Sequence, residues 1–371
     1  MADDQSAGQA SAEPLFSPAV SAGGFIFVSA LDGTGTDGRP AGEDVGPQTR
    51  RLLERLRGAL EAAGSSIGQT VSVYVYLRES GDFEAMNSAY REVFSDRPPV
   101  RTTIVAGLPP GIRVVMSAIA VPVGAEREVL HPAGWVKSPR PYSYIVRANG
   151  LVFLSGLISR RGVDDQQVIG SVGVQVKTIL DNAGTLLRTA GLGFEDVVSA
   201  RVYVSDDSFF EEMNGEYRKV FAVDPPARAT AVAALMGSTT WVEISFVATT
   251  MGKKVIGPVV SPSLPLSTAV QTGNLTFLSG VLGNTDQTKG DVAAQTRETF
   301  ARIRRTLDIA GLTPADVVDN LVYLPDVWER RTVTPVHRAF FGEVPPAGTL
   351  VGAKLVTPDG LVEMMMTCVR R

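Results

Sequence analysis

The sequence predicts an α+β protein built as three tandem β-α-β-α-β-β units that close into a pseudo-trimer within one chain. Three observations carry that prediction. A Pro-Pro phrase occurs three times, as "RPPVRTTIVAGL" from Arg97, "DPPARATAVAAL" from Asp224 and "EVPPAGTLVGAKL" from Glu343. An apolar run ending in serine and a small residue also occurs three times, "FIFVSAL", "LVFLSGL" and "LTFLSGV", so Ser29, Ser155 and Ser279 recur at intervals of 126 and 124 residues. Between these landmarks, strand and helix periodicities alternate in the same order each time.

Each element has its own signal. The apolar run that opens a unit reads as a strand. A helix follows, with a 3.6-residue apolar stripe through Leu52, Leu53, Leu56, Ala59, Leu60 and Ala63 in the first unit. Val176, Ile179, Leu180, Ala183 and Leu187 form the stripe in the second, and Phe300, Ile303 and Leu307 in the third. Gly64, Gly191 and Gly311 stand where a left-handed residue would close each helix. "TVSVYVYL", "VVSARVYV" and "VVDNLVYL" read as strands, and a second helix follows from Phe83, Phe209 and Trp328. Pro335 is expected to break the third of these locally. The Pro-Pro phrase then opens a strand, a turn and a last strand: "RVVMSAIAV", "WVEISFVAT" and "LVEMMMTCV". The units span 14–124, 138–250 and 262–371, and residues 1–13 read as a disordered tail rather than a signal peptide.

Composition excludes several functions. A net charge of −4 leaves no electrostatic footprint for nucleic acid or an anionic membrane. The single cysteine, Cys368, permits no intrachain disulfide and fits a reducing, cytoplasmic setting. With His131 and His337 the only histidines, neither a zinc site nor a Ser-His-Asp arrangement is supported. No P-loop or dinucleotide fingerprint occurs.

The midpoint between Arg228 and Glu243 falls in the turn "LMGSTT". A simple hairpin would make the two cross-strand neighbours. One reading is a structural ion pair. The other is a small pocket in which Arg228 clamps an anion and Glu243 activates a water. The first unit keeps Arg101 but has Val115 in the glutamate's place; the third keeps Glu363 but has Gly348 in the arginine's place. Loss of opposite halves fits decay of duplicated sites better than decay of a structural bridge.

The Ser-Gly strand end, the helix closing on "AG", the "MNGEYRKVF" helix, "PPAR" and the glutamate in the last strand together resemble the RidA/YjgF family of enamine/imine deaminases, also described as L-PSP endoribonucleases. The likeness runs through nearly the whole chain, three times over. It implies a chorismate-mutase-like trimer, with sheets around a central β-barrel, helices outside and ligand pockets between units. In such a protein the arginine binds the substrate carboxylate and the glutamate positions the attacking water, while a tyrosine, the Ser-Gly turn and a helix asparagine line the pocket.

On this resemblance the second unit is complete, with Tyr142, Ser155, Gly156, Asn214, Arg228 and Glu243. The first has Phe16, Ala30 and Val115 at three of these places and keeps Ser29, Asn87 and Arg101. The third has Leu266, Thr334 and Gly348 and keeps Ser279, Gly280 and Glu363. A cysteine common in the family is Thr230 here. Arg228 and Glu243 are thus expected to be catalytic, and Tyr142, Ser155, Gly156, Asn214, Arg101 and Glu363 to bind substrate. The implied activity is hydrolysis of an enamine or imine in a small carboxylate-bearing molecule, with no metal or organic cofactor and no nucleic-acid or membrane partner. A non-catalytic small-molecule binder and a specialised biosynthetic enzyme with a remodelled pocket are the alternatives. One chain that closes its own ring is expected to be a monomer.

Overall fold

The computed structural model describes residues 14–261 and 263–370. The expected tail 1–13 lies outside the described residues. The first unit comprises β1 (Ala19–Ala22), β2 (Phe25–Asp32), α1 (Val45–Ala62), β3 (Thr70–Leu77), α2 (Phe83–Val93), β4 (Val100–Val105) and β5 (Val114–Ala120). The second follows as β6 (Arg127–Leu130), β7 (Ile145–Ala148), β8 (Leu151–Leu154), α3 (Val172–Thr189), β9 (Val197–Val204), α4 (Phe210–Val220), β10 (Ala227–Val232) and β11 (Val242–Thr249). The third contains β12 (Lys254–Ser261), β13 (Leu264–Thr272), β14 (Leu275–Leu278), β15 (Val281–Leu282), α5 (Val292–Ala310), β16 (Val317–Leu324), α6 (Arg330–Phe341), β17 (Ala347–Gly352), β18 (Lys354–Leu355) and β19 (Glu363–Val369). The units are related in order; before its first helix the first unit has one strand more than the sequence predicts, the second two more, and the third three more, counting the short β15.

The helical stripes are buried as expected. Leu52, Leu53, Leu56 and Leu60 pack under α1, with equivalent sets under α3 and α5. Gly64, Gly191 and Gly311 take φ of 78°, 76° and 65°, the left-handed conformation that ends each helix. Pro335 does not break its helix; α6 runs through it from Arg330 to Phe341. Proline removes one backbone bond there, and the Thr334 hydroxyl donates to the Arg330 carbonyl at 2.7 Å in the same turn.

The sheet order in the first unit is β1-β2-β5-β3-β4, and the others repeat it. The strand carrying the Pro-Pro phrase therefore does not form a hairpin with the last strand. β3 and β4 are joined through α2, which makes them parallel, and the returning β5 pairs antiparallel on the far side of β3. In the second unit the same crossover puts β9 between β10 and β11: Arg228 pairs with Ala200, and Glu243 with Tyr203.

The sheets face one another and the helices lie outside. One shared core layer gathers Phe25 and Phe27, Val146 and Phe153, and Val270 and Phe277 from the three units. A second contains the equivalent tyrosines Tyr76, Tyr203 and Tyr323, all buried, with the last two hydroxyls 2.7 Å apart. Between these layers Arg201 stacks 4.0 Å from the Tyr74 ring and lies 3.8 Å from Asp319. Short contacts join the sheets at their edges: β10 pairs with β18, Gly107 bridges Gly352, and the Val105 N–H donates to the Ala234 carbonyl. Among the described residues no helix is long and apolar enough to cross a membrane.

Candidate functional site: three seams of unequal chemistry

Each seam sets the Pro-Pro strand of one unit against the serine strand end of the next. At the first seam the Arg101 N–H donates to Ser155 Oγ at 2.9 Å, and the Gly156 N–H donates to the Arg101 carbonyl at 3.0 Å. Ser155 Oγ itself donates to the Ser143 carbonyl at 2.7 Å. The hydroxyl is thus used as donor and acceptor in stapling the seam. Ser279 repeats this with Arg228, and Ser29 with Gly348.

This staple decides which residues meet. Arg228 and Glu243, expected to share a pocket, stand at different seams. Glu243 faces Arg101 of the preceding unit, and Arg228 faces Glu363 of the following one. The physical reason is the crossover: β9 separates the two strands of the second unit, so each can build a cleft only with a neighbour.

The first cleft is lined by Phe83, Arg101 and Thr103 from one unit and by Tyr142, Gly156 and Glu243 from the next, with Arg140, Ile158, Arg160 and Met236 around them. Its volume is about 80 Å³. The Arg101 guanidinium is 5.0 Å from the Tyr90 ring centre and 5.8 Å from those of Phe83 and Tyr142. Its Nη1 is buried without a hydrogen-bond partner. Burial lowers the guanidinium pKa, against the pull of Tyr90, Tyr142 and Glu243. Glu243 Oε1 accepts from the Thr103 N–H at 3.3 Å. Burial pushes the Glu243 carboxyl up to about 8, although Thr103 and Arg101 favour its charged form. Gly156 makes room for that carboxyl, since a Cβ there would lie 2.0 Å from Glu243 Oε1.

The second cleft repeats the charged parts. Arg228 is 1% exposed, lies 4.9 Å from the Tyr217 ring centre, and leaves Nε and Nη1 without partners. Glu363 is raised to about 8 by burial against a bond from the Thr230 N–H, and its Oε2 is buried without a partner. At Gly280 a Cβ would lie 1.8 Å from Glu363 Oε1. Asn214 lies one turn along α4 from Phe210, which lines this cleft, while Tyr142, Ser155 and Gly156 belong to the first. Both amide atoms of Asn214, like those of Asn87, are buried without hydrogen bonds.

At the third seam the place of the clamp is filled. A Cβ on Gly348 would fall 2.4 Å from the Phe16 ring and 2.6 Å from the Asn320 carbonyl oxygen. Phe16 packs edge-on to the His337 ring at 5.2 Å. His337 is buried beside Phe300 and Phe341 and held down to about 3 by burial and by Arg338. Clamp and carboxyl are both replaced here, by Gly348 and Val115.

The sequence reading missed the aromatic bed of each arginine. Phe83 and Tyr90, seven residues apart, share one face of α2 beneath Arg101; Phe210 and Tyr217 are their counterparts on α4. The signal was present: where the arginine becomes Gly348, the same helix positions become Arg330 and His337.

Comparison with known proteins agrees with this architecture. The sequence model of the family described as Endoribonuclease L-PSP matches residues 7–122, 136–250 and 259–370. The RutC family protein PH0854 of Pyrococcus horikoshii is 36% identical over 107 residues, 28% of this chain and 85% of its own length. A 2-iminobutanoate/2-iminopropanoate deaminase of Homo sapiens is 32% identical over 124 residues, 33% of this chain and 86% of its own length. Among solved structures, a chorismatase has a TM-score of 0.56 at 14% identity, covering 81% of this chain and 93% of that one, a likeness of fold alone. Three consecutive matches, three equivalent units and three equivalent seams make this chain a member of the Endoribonuclease L-PSP family, that of the RidA/YjgF proteins, with three tandem copies of the family unit.

Proposed function

We propose that the chain hydrolyses the C=N bond of a small 2-imino or enamine carboxylate in the cleft between the first and second units. The observation that carries this reading is one buried guanidinium with an unpaired nitrogen, facing one buried carboxyl across a small cleft. A buried, unpaired cation favours an anionic ligand, and the fork of arginine fits a carboxylate. The relatives named as 2-iminobutanoate/2-iminopropanoate deaminases point the same way.

In this reading Arg101 binds and orients the substrate carboxylate. Glu243, protonated below about 8, gives its proton to the imine nitrogen and makes the carbon electrophilic. The resulting carboxylate takes a proton from the water that adds to that carbon. The carbinolamine then receives the proton back on nitrogen, the C–N bond breaks, and the hydroxyl proton returns to Glu243. Imine plus water thus gives a carbonyl and ammonia, and the enzyme is restored. Glu243 is better suited to this exchange than an ordinary carboxylate because its two protonation states lie close in energy near neutral pH.

The test is ammonia release from 2-iminopropanoate generated in situ by an amino-acid oxidase. Arg101→Ala should lower kcat/KM by about 10–100-fold, the worth of a charged hydrogen bond. Glu243→Gln should slow turnover by about 10²–10⁴. For the wild type, kcat/KM should fall as pH rises through about 8, because the acid form is consumed. A rise through that range would make the carboxylate the starting form and overturn the proton order. Binding of pyruvate without ammonia release would leave a non-catalytic binding protein.

A further inference from the structure

We propose that the cleft between the second and third units is a separate site for a 2-oxo or 2-imino monocarboxylate with a branched or aromatic apolar tail. This rests on the reading of the buried arginine as a carboxylate clamp, but not on the hydrolysis. Arg228, Thr230, Gly280 and Glu363 reproduce the charged end of the first cleft. A buried guanidinium with two unpartnered nitrogens marks a built anion site, not a worn remnant.

The walls beyond that end differ in a consistent direction. Where the first cleft has Arg140, Tyr142 and Arg160, the second has Leu264, Leu266 and Asn284. Two cations and a phenol are exchanged for two aliphatic side chains and an amide. Phe210 and Val356 add further apolar surface. The volume rises from about 80 Å³ to about 370 Å³, which enters the range of roughly 300–1,000 Å³ usual for small-molecule pockets. Leu266 stands where Tyr142 closes over Arg101, so the smaller side chain opens the room for a tail. Arg302 also lines this cleft, but it is held by Glu298 at 2.9 Å and donates to the Leu282 carbonyl, so an acid with a second charge meets no unpaired cation in the place of Arg140. Burying an unpaired charge is costly, so the second cleft should reject dicarboxylates and accept aliphatic or aromatic tails.

The experiment is calorimetric titration of the full chain with 4-methyl-2-oxopentanoate and with pyruvate, using wild type, Arg228→Ala, Arg101→Ala and Leu266→Tyr. The branched acid should bind the wild type. Arg228→Ala should weaken it at least tenfold, and Arg101→Ala by less than twofold; pyruvate should respond more to Arg101→Ala. Leu266→Tyr, which keeps the clamp, should also weaken the branched acid at least tenfold, with an unchanged melting temperature showing that the variant is folded. No binding of the branched acid to wild type, its loss through Arg101→Ala instead of Arg228→Ala, or indifference to Leu266→Tyr would each overturn the proposal. Normal binding of both acids without ammonia release would sink the hydrolysis alone.

Discussion

At the residue scale, Glu243 and Glu363 are the most consequential side chains, because each is a carboxyl that the fold keeps protonated near neutral pH. Their pKa values rise from the ordinary 4.5 to about 8. Between those limits the folded chain holds protons that the unfolded chain has released. Stability is therefore fully retained below about 4.5 and declines as pH rises towards about 8. Glu243→Gln removes one of these groups while keeping its size. The variant should become progressively more stable than the wild type across that window, with little difference at pH 5 and a clear gain in melting temperature at pH 9. A pH-independent difference would show that burial is not what raises Glu243. The same side chain that serves the proposed chemistry thus weakens the native state at alkaline pH.

The second helix of each unit and the Pro-Pro strand beside it vary together at the element scale. α2 presents Phe83 and Tyr90 beneath Arg101 on β4, and α4 presents Tyr217 beneath Arg228 on β10 with Phe210 lining the same cleft. α6 presents Arg330 and His337, and β17 carries Gly348. In this third case the strand accepts the Phe16 ring where the others hold a guanidinium. Gly348 is therefore required for close packing and is not merely a lost clamp. Gly348→Ala should lower the unfolding free energy by about 1–3 kcal/mol, the usual cost of overpacking, as measured by urea denaturation. A neutral effect would mean that Phe16 moves aside freely. Gly156 and Gly280 obey a similar rule from the other side, since each leaves space for a glutamate that the first unit, with Ala30 and Val115, no longer has.

The whole molecule is held by interactions that no single unit contains. Tyr74, Arg201 and Asp319 come from three units and meet between the two shared core layers. Burial pushes Asp319 up to about 6, while Arg201 favours its charged form. Asp319→Ala strands the Arg201 charge and should destabilise the chain by about 3–5 kcal/mol, whereas replacing both with Arg201→Met and Asp319→Leu should lie much nearer the wild type. Equal losses in the single and double variants, read from urea midpoints, would assign the cost to lost packing instead. Such a mixed polar centre also fixes which unit lies beside which, because the three equivalent positions carry three different residues, Tyr74, Arg201 and Leu321.

The sequence by itself determined the number of units, the order of their helices and most strands, and the residue types of the sites. Repetition and periodicity report these directly, because the stripe under α1 or the glycine after α3 depends on local geometry. The strand-end serines, the arginines and the glutamates were legible as recurring or conspicuously altered positions and Tyr142 through the family resemblance, but the serines' part in stapling one unit to the next was not. Which arginine meets which glutamate was decided only by the tertiary structure. Nearness in sequence suggested a hairpin between Arg228 and Glu243, but the parallel crossover through α4 places β9 between their strands. The site residues then find partners across a unit boundary, and pairing across a boundary leaves no trace in spacing along the chain. The filling of the clamp's place by Phe16 was hidden for the same reason, since Phe16 and Gly348 stand at opposite ends of the sequence and touch only because the ring of units closes.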